Sequence, residues 1–513
     1  MEFPFLSFPI LFPFLLFLFM LFKIVSKTRI SSTPKLPPGP WKLPLIGNVH
    51  QFVGSLPHHC LRDLAMKHGP LMHLQLGQLS IFVVSSAEIA KEVMKTHDIV
   101  FASRPFLLAV SILSENDIAF APYGDYWRQL RKICILELLS AKRVQSFRPI
   151  REEETSNFIK SIAAHSGSLI NLDEKVFSLT YNVTAKAAAG KKFLEQEEFI
   201  SLVKEAVDIG GGFTVADLFP SVKFLALISG LRPKLEKIHQ KIDRIFTNII
   251  DEHKARKVAT QTGDGEADHE DLIDVLLKVQ EKDDLEIPLT MRNLKSVLMD
   301  IFSGGIESSS TTLSWAMSEL MKNPRVMEKA QAEVREFLSK KGSIVNEDDL
   351  YELSYLKLVI TETLRLHPPF PLLIPRESRE RCEINGYEIP TKSQVIVNAW
   401  AISRDPENWT DLESFHPERF LDSSIDYKGT YFQFIPFGAG RRICPGMSFG
   451  IVNVELPLAN LLYHFDWKLP EGEKQEDLDM TETFGAAVSR KRDLCVIPIA
   501  YYPLTGESDI KKR

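Results

Sequence analysis

The sequence predicts a mainly α-helical protein with a small β-structured part, and three observations lead to this prediction. Apolar residues recur at helical spacing over most of the 513 residues. Residues 71–76 and 81–84 are instead apolar stretches with alternation, which is typical of short strands. From Thr290, a candidate N-cap, to Asn323 and Pro324 runs one long helical pattern, roughly 45 to 50 Å at 1.5 Å per residue. Such a helix would cross the whole molecule.

The composition describes a globular chain without a strong charge bias. Of its residues 44% are hydrophobic and 25% are charged, and 61 Lys and Arg stand against 67 Asp and Glu. Because the charges are mixed, we expect no nucleic acid partner. The cysteines are odd in number, scattered and without a CxxC pair, which argues against a disulfide framework and indicates a reducing compartment. They are Cys60, Cys134, Cys382, Cys444 and Cys495.

The N-terminal residues predict a membrane anchor. Residues 3–22 carry no charge and are nearly all Phe, Leu, Ile, Pro or Met, and as a helix they would cross ~30 Å of hydrocarbon. A cleaved signal peptide would have a shorter apolar region and a small-residue cleavage site, which is not evident. Lys23, Lys27 and Arg29 follow the span, so the bulk of the chain is expected in the cytosol.

We divide the chain into an anchor at 1–26, a linker with a proline-rich hinge at 27–40, and one large domain at 41–513. The hinge ends in Leu-Pro-Pro-Gly-Pro, whose prolines make a stiff spacer. Residues 254–271, rich in charge, Gly and Gln, and the acidic residues 471–479 are predicted surface loops.

His58, His59 and Cys60 stand next to one another and raise the question of a metal site. Adjacent side chains diverge on a helix or strand, and no spaced pair of partner ligands follows. We therefore expect ordinary loop or helix-start residues here.

The run 434–446 is the most informative part of the sequence. Its glycines would let backbone N–H groups approach the sulfur of Cys444, and a helix from Met447 onward would present its N-terminus there. A lone cysteine is usually a small buried hydrophobe. Here, however, five residues stand at the fixed spacing of an FxxGxRxCxG signature: Phe437, Gly440, Arg442, Cys444 and Gly446. The chain therefore resembles the cytochrome P450 family, to which this signature belongs.

The resemblance implies the cytochrome P450 fold and a heme b cofactor. In the family the cysteine is the axial ligand of the heme iron, so Cys444 is the expected metal ligand. Phe437 is expected to pack beside the sulfur, and Arg442 to bind a heme propionate. A thiolate ligand donates electron density that favours cleavage of the O–O bond. The implied activity is that of a monooxygenase, an oxidoreductase that inserts one atom of O2 into its substrate.

A rival function of another class rests on residues 446–450, Gly-Met-Ser-Phe-Gly, which fit the GxSxG nucleophile elbow of serine hydrolases. A nucleophile elbow follows an apolar strand, whereas Gly-Arg-Arg-Ile-Cys-Pro precedes this one, and the sequence has no HGGG-type oxyanion loop. We expect Ser448 to be a structural residue in the first turn of a helix. A third class, a non-catalytic heme-binding protein, would consume no NADPH.

Glu362 and Arg365 lie three residues apart on one face of a predicted helix. Such a pair is usually a solvated surface ion pair. It resembles the ExxR motif of the family, which implies that Glu362 and Arg365 form a buried charge network with Arg419 that stabilises the heme-binding core.

Two further motifs imply contacts with the heme propionates. Trp127 and Arg131 match the WxxxR motif of the family, in which both residues donate hydrogen bonds to a propionate. Arg376, in Ile-Pro-Arg, resembles another propionate ligand. On the same helix, Arg128 and Lys132 are either a docking patch for an acidic redox partner or a solvated face.

The predicted long helix contains two adjacent glycines, Gly304 and Gly305, which cost about 1 kcal/mol each relative to alanine. A close helix crossing would explain them. The family has glycines here that open a groove for dioxygen, followed by an acid and an alcohol that relay protons. Glu307 and Ser308 are thus the expected catalytic residues, with Ser308 in place of the usual Thr. Without the β-methyl, χ1 is freer and the relay less ordered, which predicts poorer coupling or a bias toward attack on alkenes.

The substrate-contacting segments that the resemblance implies are apolar, so the substrate is expected to be lipophilic. Their residues include Ile112, Leu113, Ile301, Gly304, Leu372, Leu373, Ala486 and Ala487. No flavin or NADPH domain fits in the remaining length, which implies NADPH-cytochrome P450 reductase as a partner, besides O2 and membrane lipid.

The whole chain resembles the plant microsomal branch of the family, which implies a single-pass protein of the endoplasmic reticulum membrane with a cytosolic catalytic domain. Residues 210–220 look like terpenoid-oxidising groups, and the general cast is similar to spurge-family oxidases of casbene-type diterpenes. Oxidation of a plant diterpenoid is therefore the expected reaction. Epoxidation of an unsaturated fatty acid such as linoleate is the alternative.

Overall fold

The computed structural model describes residues 35–114, 117–193, 195–211, 214–222, 224–261, 270–282, 285–339, 345–483 and 485–501. The predicted anchor and most of the linker lie outside these ranges. Within them, no helix combines the length and the apolar character needed to cross a membrane.

Helices make up the largest part of the described chain. The α-helices are α1 (Pro57–His68), α2 (Ala87–Lys91), α3 (Leu108–Leu113), α4 (Asp125–Ile133), α5 (Ala141–Ser146), α6 (Arg148–Ala163), α7 (Leu172–Ala189), α8 (Gln196–Gly210), α9 (Val215–Leu218), α10 (Leu225–Ile228), α11 (Leu231–Gln261), α12 (Leu272–Gln280), α13 (Met291–Lys322), α14 (Pro324–Ser339), α15 (Ser354–Leu366), α16 (Ala399–Ile402) and α17 (Met447–His464).

The strands form small sheets, as the sequence predicts. They are β1 (Leu71–Leu76), β2 (Leu79–Val84), β3 (Ile170–Asn171), β4 (Arg376–Glu377), β5 (Cys382–Ile384), β6 (Tyr387–Ile389), β7 (Gln394–Val397), β8 (Phe465–Lys468) and β9 (Cys495–Ala500). The strand orders are β1-β2-β7-β4, β3-β9-β8 and β5-β6. Strands β2 and β7 are parallel, with Ile81 opposite Gln394, and the other pairs are antiparallel.

The central helix α13 begins and ends where the sequence predicts. Thr290 caps it, because its hydroxyl accepts a hydrogen bond from the Asn293 amide (3.2 Å) while the Asn293 side chain accepts one from the Thr290 amide (2.9 Å). Asn323 ends it, directly before Pro324. The helix packs mainly against α7 and α17, and every residue from 309 to 321 is buried. It therefore forms the centre of the hydrophobic core.

The predicted loop at 254–271 is wrong over the part that the structure describes. Helix α11 continues to Gln261, and Asp271 is a buried residue that caps α12 and pairs with His253 at 2.8 Å. The charged residues of 254–261 lie on an exposed part of a helix. An exposed helix and a surface loop have similar compositions, so composition did not distinguish them.

The end of the proline-rich hinge is attached to β1. The amide of His73 donates to the carbonyl oxygen of Pro38 at 2.9 Å. At Gly39 a Cβ atom would lie 2.1 Å from the His73 carbonyl oxygen, so a glycine is required for this close approach. The chain therefore enters the domain along the edge of the sheet in a defined direction.

Candidate functional site

A cavity of about 430 Å³ lies between the central helix and the cysteine loop. Cys444 and Phe437 line one side of it, and Ile301, Gly304 and Ser308 line another. The two sequence motifs that are 140 residues apart in the chain thus share one cavity.

The remaining predicted pocket residues divide into two groups. Leu113, Leu372, Leu373 and Ala486 line the cavity. Ile112 and Ala487 are not among the lining residues, because neighbouring residues of a helix or a hairpin point in different directions.

Three backbone contacts fix the shape of the cysteine loop. Gly440 has a φ of +70°, and a Cβ there would lie 2.1 Å from the carbonyl oxygen of Met94. Asp98 accepts a hydrogen bond from the next amide, that of Arg441, at 2.9 Å. The Cys444 amide donates to the Phe437 carbonyl at 3.0 Å. The loop therefore holds the sulfur at the cavity wall just before α17 begins.

Two cysteines line the cavity, and their surroundings differ. Burial raises the pKa of the Cys444 thiol, but a hydrogen bond from the Gly446 backbone and the charge of Arg131 oppose this. Burial raises the pKa of Cys134 to about 12, and the carboxylate of Asp300 adds to the effect. A thiolate is therefore better stabilised at Cys444, and a bound metal ion would lower the pKa of that thiol further.

Four arginines, Arg104, Arg131, Arg376 and Arg442, line the same cavity. Burial, and then repulsion from Arg376, lowers the pKa of Arg442 to about 9. Burial and repulsion from Arg442 and Arg376 lower the pKa of Arg104 as well. Asp98 pairs with Arg376 at 3.3 Å, which leaves the cluster with excess positive charge. A group with two carboxylates beside its metal, such as heme b, fits this cluster and the cysteine together.

The predicted propionate ligands also hold the loops around the cavity. Arg131 donates to the Ile443 carbonyl (2.5 Å), Arg376 to Ala439 (2.9 Å) and Arg442 to Ala102 (2.7 Å). Each guanidinium has five N–H donors, so these bonds leave donors for an anionic ligand.

Trp127 lies behind this cluster and not on the cavity surface. Its indole N–H donates to the Ile118 carbonyl at 3.0 Å, and the Arg442 guanidinium stacks over its ring at 4.1 Å. Trp127 thus supports Arg442 in this structure, and its indole N–H, the predicted propionate donor, is bonded to Ile118.

Glu362, Arg365 and Arg419 form one buried network on helix α15 and the turn that follows Pro417. Arg365 binds both oxygens of Glu362, at 2.7 and 2.9 Å, and neither side chain has any exposed surface. Arg419 donates to Glu362 at 2.9 Å. Arg365 also donates to the carbonyls of Ser403 and Leu412. The network thus joins α15 to the segment before the cysteine loop.

Glu307 and Ser308 are adjacent on the central helix and point in different directions. Ser308 lines the cavity, and its hydroxyl donates to the Gly304 carbonyl at 2.6 Å. Glu307 is not a lining residue, and its Oε1 is buried with no hydrogen-bond partner in the described chain. Burial raises the pKa of Glu307 to about 7. The charge of Lys204 lowers this pKa, and the charge of Asp208 raises it. The carboxyl group of Glu307 therefore faces α8 and can exchange a proton near neutral pH.

Glu307 makes the stability of the protein fall as pH rises. Its carboxyl group would ionise near 4.5 in the unfolded chain but near 7 in the folded protein, so over this window the unfolded state binds fewer protons. We expect Glu307→Gln to match wild type at pH 4.5 and to be more stable at pH 8, by on the order of 2 to 3 kcal/mol.

Thermal unfolding of both proteins across this pH range checks the expectation. Glu328→Gln, at an exposed position of α14, is the control and should show no such divergence. A constant difference between Glu307→Gln and wild type at all pH values would contradict it.

Ser448 is exposed in the first turn of α17. A short 3-10 turn (Gly440–Arg442) precedes it in place of the strand that a nucleophile elbow requires. Ser448 does not line the cavity. The serine hydrolase interpretation therefore has no structural support.

Several residues around the cavity escaped the sequence prediction. Arg104 and Asp98 belong to no periodic pattern or motif, so the sequence carries no signal for them. His58 and His59 were expected to diverge, but both Nε2 atoms lie close to one oxygen of Glu482, at 2.7 and 3.0 Å. Their partner is more than 400 residues away in the chain, which no spacing rule can detect.

Comparisons with known proteins agree with the signature. The cytochrome P450 family model matches residues 37–496. The chain is 57% identical over 503 residues to the desmethyl-deoxy-podophyllotoxin synthase of Sinopodophyllum hexandrum, covering 98% of each. It is 54% identical to the premnaspirodiene oxygenase of Hyoscyamus muticus, over 93% of this chain and 95% of that one. It is similar to the solved structure of a zebra fish cytochrome P450 with abiraterone, at a TM-score of 0.73 and 25% identity, covering 87% and 99% of the chains.

The matched residues span the helical core, the sheets, the cavity and the cysteine loop, and the plant relatives are named as a synthase and an oxygenase. The chain therefore belongs to the cytochrome P450 family and is a heme-thiolate monooxygenase of the plant type.

Proposed function

We propose that this monooxygenase oxidises a neutral, olefinic diterpenoid, with electrons from NADPH delivered by NADPH-cytochrome P450 reductase. The observation that carries the proposal is the apolar wall opposite Cys444, which includes Leu113, Val297, Ile301 and Leu372. Apolar walls bind ligands by burial and shape, and a hydrocarbon skeleton of terpenoid type suits them. The name of the premnaspirodiene oxygenase among the relatives supports a terpenoid substrate.

The charged groups of the cavity favour a neutral substrate over a fatty acid. Asp300 accepts hydrogen bonds from the amides of Ile118 (2.7 Å) and Ala119 (3.3 Å). Its carboxyl group therefore binds the backbone of the cavity wall. Arg104 donates to the carbonyls of Ile374 and Pro375, at 2.7 and 2.8 Å. Among the described lining residues, a fatty acid carboxylate thus finds no cation outside the arginine cluster, where the heme propionates would compete for it.

The residues of the site have separate roles in heme binding and in proton transfer. The heme group, when bound, supplies the activation of dioxygen. Cys444 would bind its iron through the sulfur, and Arg131, Arg376 and Arg442 would bind its propionates. Gly304 leaves room beside the central helix. Ser308 would pass protons from its hydroxyl group, and Glu307, with a pKa near 7, would exchange protons between solvent at α8 and the helix.

Ser308→Thr is expected to improve coupling between NADPH consumption and product. Threonine keeps the hydroxyl and adds a methyl group that restricts χ1, so the proton donor is better ordered. We expect a few-fold rise in product per NADPH and less epoxide relative to alcohol. Ser448→Thr, the same change at an exposed position, is the control, and equal coupling and product ratios in wild type and Ser308→Thr would refute the expectation.

We further propose that residues 1–26 anchor the protein in the endoplasmic reticulum membrane, with the domain from residue 41 onward in the cytosol. The supporting observation is the uncharged run 3–22 followed by basic residues. Arg128 and Lys132, both exposed on α4, are the proposed docking residues for the reductase.

Incubation of reductase-supplemented microsomes with casbene-type diterpenes and with linoleate tests the substrate proposal. We expect NADPH-dependent oxygenated diterpene products and no epoxide of linoleate. Epoxidation of linoleate with no diterpene product would overturn the proposal in favour of the fatty acid alternative.

A further inference from the structure

Two segments that are far apart in the chain line the cavity, and the carboxylate of Glu482 joins them. The N-terminal end of α1 contributes Pro57 and His58 to the lining. A hairpin near the C-terminus, whose first arm (481–483) pairs with its second arm (488–491), contributes Thr483, Ala486 and Val488. Glu482, at the start of this hairpin, lies within 2.7 Å of His58 Nε2 and 3.0 Å of His59 Nε2.

We propose that Glu482, His58 and His59 form a clamp that positions the hairpin against α1 and thereby determines which carbon of the substrate is oxidised. The three residues are positioning residues, because Glu482 and His59 do not line the cavity and the Nε2 atom of His58 is bonded to Glu482. The proposal rests on the monooxygenase activity of the family and not on the particular terpenoid.

The hairpin is held on its two arms by different partners. On the second arm, the Val488 amide donates to Pro369 at 2.9 Å, and the indole of Trp315 donates to the Val488 carbonyl at 3.0 Å. Arg490 on the same arm donates to Ser318 of the central helix at 3.1 Å. The first arm is joined to α1 through Glu482. Between the arms, the Thr483 amide donates to the Ser489 carbonyl at 2.9 Å. Loss of the clamp would therefore remove the link between the first arm and α1, while the second arm stays attached to the core.

Contacts other than those with the hairpin also hold the two histidines in place. The buried Asn398 side chain donates to the His58 carbonyl at 2.8 Å, and the His59 ring stacks on Trp400 at 4.3 Å. His58 has 1% of its surface exposed. A buried hydrogen bond from His58, with the His59 ring close beside it, restricts the position of Glu482 more than a solvated ion pair would.

The charges around the clamp favour hydrogen bonds over a metal ion. Burial alone would raise the pKa of Glu482, but the hydrogen bond from His58 and the nearby His59 ring outweigh it and hold that pKa below its usual range. Burial lowers the pKa of His58, which leaves this ring neutral with an N–H to donate. The guanidinium of Arg404 is close enough to interact with Glu482, and its charge would repel a divalent cation.

The test uses the heme-loaded full-length protein with Glu482→Ala, Glu482→Gln and the control Lys491→Ala, which alters an exposed residue of the same hairpin. Hydrogen exchange measured by mass spectrometry reports the clamp, and the ratio of oxidation products from an accepted olefinic terpene reports its consequence. Glutamine keeps an acceptor oxygen, so it is the conservative variant.

We expect Glu482→Ala to raise early deuterium uptake at least threefold in peptides from 56–68 and from 479–483, which contain the first arm, and to change the product ratio at least threefold. Glu482→Gln should restore most of both, and Lys491→Ala should match wild type. Unchanged uptake in Glu482→Ala, or an equal change in Lys491→Ala, would overturn the proposal. So would increased uptake with an unchanged product ratio.

A variant that fails to load heme does not end the test. His59 has 36% of its side chain exposed, so His59→Ala removes the second contact with Glu482 but leaves the buried hydrogen bond from His58, and the same criteria apply to it. If no diterpene is oxidised, the exchange measurement still decides whether the clamp exists, and any other accepted substrate supplies the product ratio.

Discussion

Cys444→Ala is expected to abolish monooxygenase turnover and the red-shifted Soret band of the ferrous carbonyl complex. The sulfur of Cys444 is the cavity-lining thiol with a backbone N–H donor and an arginine close by, and alanine offers the iron no ligand atom. Loss of the thiolate also removes the electron donation that favours O–O cleavage. The ferrous carbonyl difference spectrum and NADPH-dependent product formation measure the effect.

Cys382→Ala is the matched control, because this cysteine lies on the small β5-β6 sheet and not in the cavity. It should retain both the spectrum and the turnover. Retention of the red-shifted band in Cys444→Ala would mean that another residue binds the iron, with Cys134, the second cavity cysteine, as the residue to replace next.

Glu362→Ala is expected to prevent accumulation of folded, heme-loaded protein. The change leaves the fully buried guanidinium of Arg365 and the mostly buried one of Arg419 without their carboxylate. Removing one partner of a buried ion pair costs about 3 to 5 kcal/mol, which is a large part of the ~5 to 15 kcal/mol that stabilises a typical protein. Heme content per polypeptide and the midpoint of thermal unfolding measure the loss.

The control is Glu236→Ala, which removes the partner of Arg232 from an ion pair that is about half exposed on α11. Solvent screens that pair, so the variant should behave as wild type. Stable heme binding by Glu362→Ala would show that the buried network does not hold the core together.

The sequence predicted those parts of the fold that depend on residues close together in the chain. Thr290 and Asn293 form a capping box from residues three apart, and Asn323 with Pro324 ends the helix, so both ends of the central helix could be predicted. The prediction of a loop at 254–271 failed because an exposed helix face and a surface loop contain the same kinds of side chain. Periodicity over a longer window would have been needed to distinguish them.

The sequence alone also predicted the cysteine loop, because the fixed spacing of its signature is a local pattern, in which Gly438 and Gly440 have φ of +71° and +70°. Only the tertiary structure decided that Glu307 faces α8 while Ser308 faces the cavity, that four arginines crowd one buried region, and that Glu482 meets His58 and His59. These arrangements depend on elements that are far apart in the chain, and their energies come from burial and from charge interactions that exist only once the core has packed.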